Sequence, residues 1–163
     1  MARARTKVRA RAKKADVRRS AARPTRAKAA APKARRQHKF VASHIGPDAF
    51  KADGLRTYAH YRDLGVKDAT RGMALAHVIR FVGQCDPKVV SKRHTHECEF
   101  QMIYVLKGTI TTEIEGHGKH VMNAGDCWLQ PQGIVHKVLD YTDGCEVLEI
   151  VLPAEFKTVE LEK

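Results

Sequence analysis

Three observations predict an all-β sandwich or barrel behind a long basic arm. From Pro87 onward, short runs rich in Val, Ile and Thr follow one another, separated by Gly, Asp and Asn turns. The chain has 163 residues, which suits one ordinary domain with a real core and not two. The formal charge of +12 is confined to one end: residues 1–39 hold 16 Lys and Arg against the single acid Asp16, whereas residues 40–163 hold 14 against 17 Asp and Glu. The folded part is therefore mildly acidic, and only the arm is a polycation.

Residues 1–39 are mostly Ala, Arg and Lys, broken by Pro24 and Pro32, with Val8 and Val17 the only large apolar residues after Met1. Nothing here offsets the entropy of ordering, so the arm is expected to be disordered. Its cations suit nonspecific nucleic-acid contact by counterion release, without aromatic residues to stack on bases. An inert solubilising tail, an Arg-rich organelle transit segment, and an arm for an acidic protein or membrane surface are the other readings. Residues 40–54 read as a linker with turns at Gly46-Pro47-Asp48 and Asp53-Gly54.

The ordered body is expected over residues 55–153. An entry strand is predicted over Leu55–Leu64, then a loop to Gly72. Met73, Leu75, His77, Ile79 and Phe81 alternate onto one face of a second strand. His77, alone among apolar neighbours, is expected to be a hydrogen-bonded structural residue. Strands follow over Val89–His96, Gln101–Leu106, Thr109–Glu115, Lys119–Met122, Cys127–Leu129, Ile134–Tyr141 and Cys145–Leu152. Pro153 ends the last, leaving residues 154–163 as a tail or short helix. Trp128, Leu129 and Met102 are expected to fill the wall, and Tyr104 and Tyr141 are candidates for reaching a cavity.

Cys85, Cys98, Cys127 and Cys145 form no close CxxC pair, and no secretory leader is discernible. Free thiols in a reducing, cytoplasmic setting are expected, with Cys98 a small buried hydrophobe; organelle targeting through the arm is the alternative. No apolar run approaches the roughly 20 residues of a membrane span.

Chemistry concentrates in two stretches. On a strand, His94 and His96 point the same way, about 7 Å apart, and two imidazoles on one wall begin a metal site. Some forty residues later His136 opens an apolar run as a third. His38, His44, His60, His117 and His120 stand in arm, turn or edge contexts and are expected to be solvated.

Together these stretches resemble the cupin superfamily. Its first motif runs HxH, four residues, an acid, six residues, Gly; here His94, His96, Gln101 and Gly108 fall in step. Its second runs Gly, five residues, Pro-x-Gly, two residues, His; here Gly125, Pro131, Gly133 and His136 match without a gap. The resemblance covers about residues 71–152. It implies a single jelly-roll barrel, a homodimer, and one divalent transition metal per chain held by His94, His96, Gln101 and His136. Fe(II) is favoured, with Zn, Mn or Ni as alternatives. Two departures stand out: Lys88 replaces the family's leading Gly, and Gln101 replaces its Glu. An amide cancels no charge, so four neutral ligands would leave a more electrophilic ion, receptive to an anionic chelator. Asp140, where the family often has Asn, is expected on the face of His136.

The function expected is thus a mononuclear metal-dependent enzyme, an Fe(II)-type dioxygenase for a small anionic or chelating organic substrate. A non-redox Lewis-acid isomerase, cyclase or lyase is the alternative, since Gln at this position also occurs in cupins that resemble polyketide cyclases. A ligand-binding or sensory module without turnover is the third. No separate catalytic acid or base is identified.

Overall fold

The computed structural model describes residues 37–161. The expectations for the basic arm, apart from its last three residues, therefore lie outside the described residues. Element order is β1 (Ala59–Asp63), α1 (Val66–Ala69), β2 (Leu75–Phe81), α2 (Pro87–Val90), β3 (His94–His96), β4 (Phe100–Lys107), β5 (Thr109–Ile114), β6 (Gly118–Asn123), β7 (Cys127–Leu129), β8 (His136–Tyr141), β9 (Glu146–Leu152) and β10 (Thr158–Glu160). Two five-stranded sheets result, ordered β1-β2-β9-β4-β7 and β10-β3-β8-β5-β6, with every strand pair antiparallel. This is the jelly-roll barrel that the motifs implied.

The period of two along each strand sorts side chains into lumen and exterior. On β4 the inward residues Gln101, Ile103 and Val105 are buried, while Tyr104 and Leu106 are exposed. The lumen is graded along its axis. Gln101 is followed by Ile103 and Val105, His77 by Ile79 and Phe81, and Glu149 is preceded by Val147; each strand passes from a polar inward residue to apolar ones. The apolar end closes over Phe81, Val90, Ile103, Val105, Ile110, Tyr141, Cys145 and Val147. There Phe81 and Tyr141 pack with ring centroids 4.8 Å apart, and Tyr58 stacks on both.

Several sequence expectations need correction. The strand predicted over Val89–His96 is shortened to β3 because Asp86 and Pro87 start a helix: the Asp86 carboxylate caps the Lys88 amide at 2.9 Å and Pro87 occupies the first turn, where a missing N–H costs nothing. The entry strand spans only Ala59–Asp63, and the predicted loop contains α1. The predicted C-terminal tail or helix forms β10, which pairs with β3 in the register Thr158↔His96 and Glu160↔His94. Leu129 is 59% exposed and does not fill the wall; on a three-residue strand the inward place goes to Trp128. Asp140 is exposed and off the face of His136, because Thr111 pairs with Asp140 and Thr112 with Val138. Leu139 is the extra residue of that bulge, and one extra residue inverts the alternation.

The segment before β1 folds onto the barrel mouth. Lys51 bridges Tyr61 with two backbone hydrogen bonds of 2.8 Å. Gly54 lies so close to the Tyr61 ring that an added Cβ would sit 2.0 Å from its Cε2. No helix among the described residues is long and apolar enough to cross a membrane.

Gly54→Ala is therefore expected to destabilise the fold by about 1–3 kcal/mol, the usual cost of overpacking. Urea unfolding would measure it, and Gly46→Ala, which meets nothing within 4 Å, is the matched control.

Candidate metal centre

His94 and His96 alternate on β3, and His94 pairs directly with His136 on β8. The three imidazoles converge, with ring centroids 4.2–5.1 Å apart and ligand atoms within 4.8 Å of one another. The backbone also fixes which nitrogen each ring presents. His94 Nδ1 donates to the Lys92 carbonyl at 2.8 Å and His136 Nδ1 to the Ile134 carbonyl at 3.1 Å. A carbonyl only accepts, so Nδ1 carries the hydrogen and Nε2 keeps a lone pair. His96 Nδ1 hydrogen-bonds the Thr158 hydroxyl at 3.0 Å, and the Phe156 ring meets the His96 imidazole edge-on.

Burial keeps the rings neutral. It lowers His94 below the ordinary value, takes His96 down to about 4 and His136 to about 3, with mutual repulsion among the three as a further cause for the latter two. Three neutral imidazoles with lone pairs turned together and outer nitrogens tethered are a donor set that fits a divalent transition metal.

Gln101 lies beside them, only 2% exposed, at the head of an ordered chain of polar contacts. Its Nε2 donates to Glu149 Oε1 at 2.6 Å, while its Oε1 accepts from Gln130 Nε2 at 2.7 Å. Gln130 Nε2 also donates to His136 Nε2 at 2.9 Å, and its Oε1 faces the Trp128 indole N–H at 3.4 Å. A metal entering at Gln101 Oε1 and His136 Nε2 would thus exchange for two hydrogen bonds from Gln130. Beyond Gln101, Glu149 Oε2 meets His77 Nε2 at 2.6 Å. Burial alone would push the Glu149 carboxyl up, but the hydrogen bonds and charge of His77, Gln101 and His96 hold it below its ordinary value. His77 thus does have a hydrogen-bond partner, as expected, yet it also lines the cavity.

That cavity has a volume of about 410 Å³. The histidine triad, Gln101, Glu149 and His77 form its polar wall; Ile79, Ile103, Ile110, Val138, Val147 and Trp128 form its apolar wall. Tyr61 stands at its side, its phenol pushed up to about 12 by burial and by the Glu149 charge. Neither Tyr104, which is exposed on the exterior, nor Tyr141, which is buried in the core, lines the cavity. His38, His44, His117 and His120 are exposed and His60 is half-buried on β1; none joins the triad. Cys98 is buried, as expected of a small hydrophobe, and all four thiols are free. Sequence reasoning missed Glu149, Gln130, Tyr61, Phe156 and Thr158. Glu149 alone carried a signal: an acid inside the apolar run Val147–Leu152 demands a partner.

Residues 82–151 match the family model described as a cupin domain. No curated protein matches the sequence. Among solved structures, the polyketide cyclase RemF from Streptomyces resistomycificus is 16% identical, with a TM-score of 0.59 over 75% of this chain and 87% of that one. KdgF from Halomonas sp. is 20% identical, with a TM-score of 0.52 over 65% of this chain and 88% of that one. Salicylate 1,2-dioxygenase from Pseudaminobacter salicylatoxidans is 7% identical, with a TM-score of 0.52 over 65% of this chain but only 31% of that one. At these identities the likeness is one of fold.

The depressed histidines make a prediction for the metal-free protein. Unfolded, each imidazole takes up a proton as pH falls through about 6.5; folded, His96 and His136 do so only near 4 and 3. Their contribution is therefore intact above pH 6.5 and lost below it. Between pH 6.5 and 5 each should cost about 1.5 kcal/mol. Thermal melts across that window should show a smaller fall for His136→Phe than for the parent.

Proposed function

Because the barrel is a cupin, we propose that the protein is a metal-dependent cupin enzyme whose chemistry moves protons, not electrons, on a small chelating organic anion with an apolar body. The observation that carries this reading is the His77–Glu149 contact, which adds a proton-handling pair to the same cavity from the sheet opposite the three imidazoles. His94, His96 and His136, with Gln101 Oε1, would hold one divalent metal, and that metal would supply Lewis acidity to a substrate oxygen.

The chain's own residues account for the rest. Ile79, Ile103, Val138 and Val147 bind the apolar body and exclude water, in a cavity whose volume is within the range for small-molecule sites. His77 Nε2 and Glu149 Oε2 are joined by a hydrogen bond of 2.6 Å. The pair can take a proton from one position of the bound substrate and return it at another, so an isomerisation, cyclisation or elimination balances without an oxidant. Tyr61 stays protonated at neutral pH and can donate a hydrogen bond to a substrate oxygen.

A second reading, the Fe(II)-type dioxygenase, rests on the neutrality of all four prospective ligands, a set that also suits ferrous iron, and on the apolar side chains that line the rest of the cavity. Elemental analysis of protein purified without oxygen and without a metal-binding tag separates the two. Near-stoichiometric zinc or another redox-inert metal, lost in His136→Ala, with turnover unaffected by removal of oxygen, is expected. Iron together with substrate-dependent oxygen uptake would replace this reading with the dioxygenase. In addition, His77→Gln is expected to lower kcat by about 100-fold with metal content unchanged.

A further inference from the structure

The substitution of Gln101 for the family's carboxylate leaves a question of charge, and Glu149 answers it. The two side chains come from adjacent strands β4 and β9, and Gln101 Nε2 lies 2.6 Å from Glu149 Oε1. Glu149 is enclosed, with a side-chain exposure of 12%. Both of its oxygens are engaged, one by the Gln101 amide and one by His77 Nε2. We propose that Glu149 is the displaced carboxylate of the metal centre: a positioning residue that fixes the Gln101 amide with its oxygen towards the histidines and supplies the negative charge from behind it.

The polarity follows from the donor inventory. A carboxylate accepts only, so Gln101 must turn its NH₂ to Glu149 and its oxygen away. That oxygen receives Gln130 Nε2, which also reaches His136 Nε2. Flipping the Gln101 amide would set oxygen against oxygen at 2.6 Å on one side and N–H against N–H on the other. Glu149 thereby dictates the direction of every amide in the chain, including the atom offered to a cation. The same contact explains why Gln, not Glu, occupies position 101: a second carboxylate there would stand against Glu149 with no cation between them.

This inference rests on the metal-centre reading, and a charge swap tests it. The probe is Zn²⁺ alone, titrated into chelator-stripped protein in competition with a chromophoric chelator, for the parent, His136→Ala, Glu149→Gln, Gln101→Glu and the double variant Gln101→Glu/Glu149→Gln. Glu149→Gln should weaken Zn²⁺ binding about 10- to 100-fold, the usual effect of losing an outer-shell partner. Gln101→Glu should not tighten binding, because its carboxylate must share a proton with Glu149. The double variant keeps charge, volume and every hydrogen bond, and should return to within about 3-fold of the parent on the same outer-shell scale. If Gln101→Glu alone binds more tightly than the parent, or if the double variant is no better than Glu149→Gln, the inference is wrong while the metal centre stands. If the parent shows no Zn²⁺ binding that His136→Ala abolishes, the metal-centre reading fails and takes this inference with it. Should Glu149→Gln not fold, Gln101→Glu and the double variant still decide the matter.

Discussion

The contact on which the site depends is the pair of hydrogen bonds to Glu149, a carboxylate enclosed in the centre of a sheet. An unpaired charge there would cost several kcal/mol, so its neighbours are constrained to be donors. His77 satisfies one oxygen from β2 and Gln101 the other from β4. From that point the polarity runs outward through Gln130 to His136 without a choice at any step. The opposite sheet uses a second, independent device: backbone carbonyls of Lys92 and Ile134 hold the outer nitrogens of His94 and His136.

The graded lumen turns this polar cluster into a usable site. Apolar layers seal one end and leave the polar layer at the other, so burial lowers the affinity of the imidazoles for protons while leaving their lone pairs available. A cavity with one polar and one apolar wall orients whatever enters it.

Much of this was legible in the sequence, and the parts that were not share a cause. The histidines and the turns at Gly108 and Gly133 recur at spacings set by strand geometry, so local pattern sufficed to find them. Asp140 was misjudged because a bulge at Leu139 is invisible in a run of Val, Leu and Asp, yet it inverts every residue after it. The helix of α2 was written plainly as Asp86-Pro87 and was overridden by the Val-Val pair that follows. Glu149 and Thr158 meet the motif residues Gln101 and His96 through pairing across 48 and 62 positions, and Gln130 meets Gln101 across 29, which no local pattern records. His77 shows how weak a lone histidine is as a signal: its meaning depends on a carboxylate 72 residues away.

The division of labour between the sheets has a mechanical consequence. The three imidazoles belong to β3 and β8 of one sheet, whereas Gln101, Glu149 and His77 belong to β4, β9 and β2 of the other. Gln130, from the turn after β7, links the two groups by hydrogen-bonding both Gln101 and His136. The centre therefore straddles the seam of the sandwich. A cation held from both sides would act as a rivet across that seam, slowing the breathing of the two sheets against each other, and the same breathing would set how fast the rivet is lost.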